Sequence, residues 1–144
     1  MSTDTTRTES NKAAARRLYE EIVNNGRLEL LDDLIDSDAD DETRARAGWS
    51  AGRDGFRQHV VWLREAVGDL KTTVTDLVAE DDRVVVFWRI EGIHKGDVFG
   101  VPATGRPIDG TSISWITFHD GRIVSYDVLP DRLTILRQIG GVPV

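Results

Sequence analysis

The chain has 144 residues, no cysteine and a formal net charge of −7. That length suits one domain able to bury a core unaided, and the missing cysteines exclude a disulfide framework, a thiolate nucleophile and a cysteine-held metal. The acidic balance disfavours nucleic acid and anionic membrane as partners, because binding either requires Lys and Arg to neutralise phosphates. The opening MSTDTTRTESNK holds no apolar signal core and no later run approaches a membrane span, so a cytoplasmic protein is expected. Residues 1–10 are expected to be disordered and residues 11–144 to form a single domain.

In chain order, residues 11–25 read as an amphipathic helix with Ala14, Leu18 and Ile22 on one stripe, and Gly26 ends it as a C-cap. Leu28, Leu31 and Ile35 mark a second short helix. The acidic run Asp36, Asp38, Asp40, Asp41, Glu42 and the following Arg44, Arg46, Arg53 and Arg57 read as a solvated loop of mixed charge. Phe56, Val60, Leu63 and Val67 recur at i, i+4, i+7, i+11 and predict a third helix over 53–67. After Gly68 the period changes to that of strands, with 70–80 loosely alternating, 84–93 strongly apolar and 98–101 a short strand. Residues 108–118 and 123–128 alternate on either side of His119-Asp120-Gly121, the signal of a β-hairpin. Asp131 after Pro130 reads as the N-cap of a last helix carrying Leu133, Leu136 and Ile139.

Helices first and a strand meander afterwards predict an α+β fold. The expected form is a curved antiparallel sheet, a cone-shaped barrel around a cavity packed on the N-terminal helices, with a bulge helping the sheet to curl. On its strands, Val84, Val86, Trp88 and Ile90 share one face, and Ser112, Ser114, Ile116 and Phe118 share one face of the next. Trp49, Trp62, Trp88 and Trp115 are many tryptophans for one small domain; singly they suit a core, and together an aromatic-lined cleft for a flat apolar ligand.

Asp127 lies between Tyr126 and Val128 in the second run of the hairpin. Such a carboxylate is either on the solvent side of the pleat or inside a pocket, where apolar surroundings raise its pKa toward the range useful for proton transfer. His59, mid-helix, and His119, in the turn, read as exposed. Three scattered histidines without paired spacing predict no metal site. Asp97 and Asp109 suit solvated loops or a cavity mouth, Arg89 and Glu91 a solvent-facing ladder, and residues 102–107 lack the strand–loop–helix context of a phosphate cradle.

The segment Gly100-Val-Pro-Ala-Thr-Gly-Arg106, the run Phe118-His-Asp-Gly-Arg-Ile123, the Asp before the C-terminal helix and the Gly92-Ile-His94-Lys-Gly96 turn together resemble the SnoaL-like polyketide cyclases. The resemblance covers about residues 12–140. It implies the cone-shaped fold shared with ketosteroid isomerase, scytalone dehydratase and nuclear transport factor 2. It also implies an enzyme without a cofactor, acting on a polycyclic or polyketide-like small molecule, with Asp127 as general acid/base of an intramolecular aldol ring closure. Ser112 and Ser114 stand where the family carries Gln and His facing the pocket, Asp41 falls near a pocket Asn, and His94 stands where a His is common. With Trp62, Trp88 and Phe118 these are the expected substrate-binding residues. The spacing from Ile123 to Asp127 is one residue shorter than the family's. A cofactor-poor hydroxylase of an anthracycline-like polyketide and a non-catalytic ligand-binding module are the rival readings. An uncovered sheet face predicts a homodimer or higher homo-oligomer.

Overall fold

The structure, a computed structural model, describes residues 3–143. Helix α1 (Thr3–Arg17) begins well before residue 11, so residues 3–10, expected to be disordered, are helical. Residues 5–10 of this helix are largely exposed, and burial begins at Asn11. The helix then widens into a π-helical stretch, Leu18–Val23, which turns Leu18, Tyr19, Ile22 and Val23 all inward. Such widened turns are frequent at functional sites. A 3-10 turn (Leu28–Leu30) leads into α2 (Leu31–Leu34), close to the second helix read from the sequence.

The acidic run departs most from expectation. Residues Ile35–Asp41 form strand β1, and Thr43–Ala47 form a short helix α3. Asp and Asn are depleted in strands, but β1 is an edge strand where alternate side chains can meet water, and Ile35, Ala39 and Asp41 are the residues it buries. Helix α4 (Arg53–Ala66) follows as predicted and presses Phe56 and Val60 into the core.

Strands β2 (Val67–Glu80), β3 (Arg83–His94), β4 (Pro107–His119) and β5 (Arg122–Pro130) form an antiparallel meander. The sheet order is β1-β5-β4-β3-β2, with β1 added parallel to β5, so the sheet curves without closing. The predicted short strand at 98–101 is instead a tight turn. Val98 and Val101 bond each other in both directions, with Phe99 and Gly100 at positive φ between them. The His119 turn is the two-residue hairpin expected, because Asp120 and Gly121 both take the left-handed conformation that a type I′ turn needs. Helix α5 (Arg132–Ile139) is capped by Asp131, whose carboxylate accepts from the Thr134 amide.

One irregularity decides where the site lies. Thr117 pairs with Ser125 but Phe118 pairs with Ile123, so Val124 is an extra residue in β5. Alternation from Ile123 would put Ser125 and Asp127 on Ile123's face. The bulge inverts that pattern, as a one-residue slip must. Ile123 and then Tyr126 point inward, while Asp127 pairs across the outer face with Trp115, itself 40 % exposed.

Candidate active site

Between the inner face of the sheet and helices α1, α3, α4 and α5 lies a cavity of about 550 Å³, within the range that holds a drug-sized ligand. Its walls are largely apolar and aromatic. Trp49 packs on Trp62 at 5.8 Å and on His59 at 4.9 Å between ring centroids, and Tyr19 packs on Trp88 at 4.9 Å.

The chemistry centres on Asp41 and His59. Asp41 closes β1 in register with Tyr126 and is fully buried. Its Oδ1 accepts the Thr43 amide at 2.9 Å, and its Oδ2 lies 2.7 Å from His59 Nδ1 on α4. Helical spacing explains the meeting, since His59 stands at i+3 from Phe56 and one residue before Val60 on the inward stripe. A buried carboxylate is held well only when its oxygens are paired, and here both are. In the neutral tautomer whose Nδ1–H donates to this carboxylate, Nε2 keeps a lone pair. The ring of His59 also sits edge-on to Tyr126, 5.9 Å between centroids.

Beneath this pair lies a hydroxyl network. The Tyr19 hydroxyl donates to Ser114 Oγ at 2.6 Å, the Trp88 indole N–H donates to the same oxygen at 2.9 Å, and the Tyr126 hydroxyl lies 3.0 Å from both Tyr19 and Ser114. Each hydroxyl donating its own proton to the next, from Tyr19 to Ser114 to Tyr126 and back, satisfies all three groups. Burial pushes the Tyr126 phenol up to about 12, and burial with the neighbouring Tyr126 pushes Tyr19 well above the usual tyrosine range. Both phenols are therefore neutral around pH 7. They polarise and position, and neither acts as a base.

The expected site residues divide. Asp41, Trp62, Trp88 and Ser112 line the cavity. Ser114 lies behind it, fully buried, holding Trp88, Tyr19 and Tyr126 in place. Phe118 is core beyond the cavity wall, on the strand end nearest the hairpin turn. His94 is buried but does not face the cavity. Its ring nitrogens meet the Thr104 hydroxyl at 2.9 Å and the Val101 carbonyl at 3.1 Å, so it pins the 95–106 loop. Asp127, the expected acid/base, is corrected most: it is absent from the cavity lining between Tyr126 and Val128, which both line it. Its Oδ1 accepts the Val128 amide, and its nearest cation is Arg46 at 3.9 Å. Asp97 reaches the cavity, whereas Asp109 pairs with Arg89 at 2.6 Å in the exposed ladder read from the sequence. Among the described residues, no three His, Cys, Asp or Glu side chains are grouped to hold a metal ion, and no helix is long and apolar enough to cross a membrane.

His59, Tyr19, Tyr126 and Thr43 also line the cavity and were not among the site residues expected from the sequence, while Trp49 takes the place in an aromatic cleft that the four tryptophans suggested. For His59 a signal existed, since it extends the Phe56–Val60–Leu63 stripe to the i, i+3, i+4, i+7 pattern. For Tyr126 none did without knowledge of the Val124 bulge.

The comparisons agree with this architecture. The aklanonic acid methyl ester cyclase DnrD of Streptomyces peucetius is 32 % identical over 91 residues, which cover 62 % of this chain and 62 % of that protein. The match thus spans less than two thirds of that relative's length. The nogalonic acid methyl ester cyclase of Streptomyces nogalater is 27 % identical over 119 residues, 81 % of this chain and 88 % of the relative. The crystal structure of IdmH from Streptomyces antibioticus superposes with a TM-score of 0.76 at 31 % identity, covering 90 % of this chain and 98 % of IdmH. The family profile described as SnoaL-like polyketide cyclase matches residues 13–139, and the chain belongs to that family.

Proposed function

We propose that the protein is a polyketide cyclase that closes a ring by intramolecular aldol chemistry, with the His59–Asp41 pair as its acid/base group. The observation that carries the reading is the 2.7 Å contact between His59 Nδ1 and the buried Asp41 carboxylate in the wall of an apolar cavity. His59 Nε2 takes a proton from the carbon alpha to a substrate carbonyl, and Asp41 stabilises the imidazolium that results. The enolate carbon attacks a second carbonyl of the same molecule, forming the ring C–C bond. The imidazolium then returns its proton to the new alkoxide, so the sum is an isomerisation that consumes no co-reactant. Such chemistry needs proton transfer, which the His59–Asp41 pair supplies, and positioning, which the neutral phenols and the tryptophan walls supply. The relatives named for methyl esters of aklanonic and nogalonic acid support a polycyclic polyketide as substrate.

The test is turnover of aklanonic acid methyl ester by the parent protein and by His59→Gln. A loss of about 10²–10⁴-fold with substrate affinity retained is expected, the usual worth of a positioned acid/base. Undiminished turnover, or dioxygen uptake accompanying it, would contradict the reading.

The outer sheet face supports self-association. Ile113 and Leu129 are cross-strand partners exposed at 37 % and 64 %, next to Trp115. An apolar patch of this kind on a sheet rarely faces water alone, and a second copy would cover it. Sedimentation should give a dimer or larger for the parent protein and monomer for Trp115→Glu.

A further inference from the structure

Helix α3 buries none of its residues, yet the segment that follows it is fastened to α4. Gly48 caps α3 at a φ of 75°, the left-handed region that glycine enters without strain, and turns the chain back over α4. The Gln58 side chain then holds Ser50 twice, accepting its amide at 2.8 Å and donating to its hydroxyl at 3.0 Å. The Ser50 carbonyl lies so close to Gly55 of α4 that any side chain there would collide with it. Trp49, between these anchors, is set over the residue after Gln58, which is His59.

Three aromatic rings surround the His59 imidazole. Trp49 is nearest, 4.9 Å between centroids and tilted by 33°. Trp62 lies at 6.0 Å and 42°, and Tyr126 stands at 5.9 Å and 80°. Trp62 is itself held, packed on Trp49 at 5.8 Å and donating its indole N–H to the Asp97 carbonyl at 3.1 Å. The His59 side chain is only 15 % exposed, and burial disfavours a charged imidazole. An indole face within about 6 Å attracts a cation through its quadrupole, more strongly than other aromatic rings do. The two tryptophans offset that cost of burial.

We infer that Trp49, backed by Trp62, is a positioning residue that stabilises protonated His59 and so sets the strength of the base. The inference rests on His59 as the proton-transfer group and adds what that reading leaves open, namely how a base in a largely apolar cavity holds the proton it takes. Asp41 meets the edge of the ring, and the indoles cover its face. The other charged or titratable side chains lining the cavity are Tyr19, Tyr126, Arg46, Asp97 and Arg132. A substitution at residue 49 removes none of them, so a difference between variants at that position reads the indole.

The experiment follows the His59 imidazole by proton NMR across pH, without substrate, in the parent protein, Trp49→Leu and Trp49→Phe. His59→Gln identifies its signal among the three histidines. Leucine keeps the apolar cover and loses the π face, whereas phenylalanine keeps a smaller face. The titration of Trp49→Leu should move to lower pH by about 0.5–1.5 pH units, the worth of a cation–π contact, and Trp49→Phe should recover at least half of that shift. In the ring-closure assay the acid limb of the rate profile should move the same way, because a base that releases its proton more readily is free at lower pH, while the plateau falls. Loss of turnover alone is not the readout, since Trp49 also lines the cavity. In the parent protein, tryptophan emission should drop as pH falls through the His59 titration, because a protonated imidazole against an indole quenches it; this measurement stands even where a variant does not fold. An unshifted titration in Trp49→Leu, an equal shift in Trp49→Phe, or no emission change in the parent protein would overturn the inference. A shifted titration without ring closure would sink the cyclase reading alone, and His59-dependent ring closure with an unshifted titration would sink this inference alone.

Discussion

Strands β5 and β1 are neighbours in the sheet, yet they present their carboxylates differently. The β4–β5 hairpin is aromatic, marked by its Asp-Gly turn and broken by one bulge, and its carboxylate, Asp127, ends on the outer face beside Trp115. The adjoining β1–α3 segment is acidic and short of strand formers, and its carboxylate, Asp41, is fully buried against His59. The part of the chain with the clearest strand signal builds the wall. The part whose local preferences argue against a strand supplies Asp41, the buried carboxylate that meets His59 of α4. Local preference is expected to fail at functional sites in this way, because a buried carboxylate is retained there for chemistry and held by specific partners rather than by propensity.

The outward turn of Asp127 is hidden from the sequence by one residue, Val124. Deleting it removes the extra residue and leaves the pairs Thr117–Ser125 and Phe118–Ile123 in place, so Tyr126 stays inward and Asp127 outward. Tyr126→Ala, by contrast, empties a buried aromatic site at a cost of about 3–5 kcal/mol, and chemical denaturation should show a loss of that order for Tyr126→Ala and a smaller one for the deletion. A deletion as costly as Tyr126→Ala would mean that β5 has slipped register.

A smaller effect tests the floor shared by both strands. Tyr19→Phe removes one corner of the hydroxyl triangle and leaves Ser114 and Tyr126 each short of a partner. Thermal or chemical unfolding should register about 1–3 kcal/mol, the cost of an unsatisfied buried polar group. A neutral result would mean that the triangle contributes no more than its apolar packing.

How far the site could be read from the chain depends on the same contrast. The α+β order, helix α4, the meander, the Asp131 cap and the inward set Val84, Val86, Trp88, Ile90 all come from period and punctuation, and the structure has them. The cavity residues Asp41, Trp62, Trp88 and Ser112 were also legible, through periodicity and resemblance together. Strand β1 was not, because Asp-rich sequence reads as loop and only pairing with β5 makes it a strand. Nor was the outward turn of Asp127, since a bulge leaves no mark in composition and reverses every side chain after it. His94 misled for another reason: a motif histidine in a turn serves loop closure as well as catalysis, and its two hydrogen bonds go to the loop.

The least effect expected near neutrality comes from the phenols. Both tyrosines of the chain lie in the triangle, and each is raised above its ordinary value by burial, Tyr126 to about 12. A group raised on folding contributes stability that is present in full below its unfolded value near 10 and is lost as pH rises through its folded value. Stability should therefore be insensitive to these groups from neutrality to about pH 10 and decline above it. Near-ultraviolet phenolate absorbance should appear only as the protein unfolds. A phenol ionising at the ordinary tyrosine value in the folded protein would contradict the buried triangle.

The most direct test of the account exchanges the two carboxylates for amides, one at a time, in the ring-closure assay. Asn keeps the shape of Asp and removes its charge, so folding is preserved while proton transfer is not. Asp41→Asn is predicted to lower turnover by about 10²-fold or more, within the range for acid/base groups, and Asp127→Asn to leave it unchanged. Turnover lost in Asp127→Asn and kept in Asp41→Asn would contradict the account and return the proton transfer to the outer face of β5.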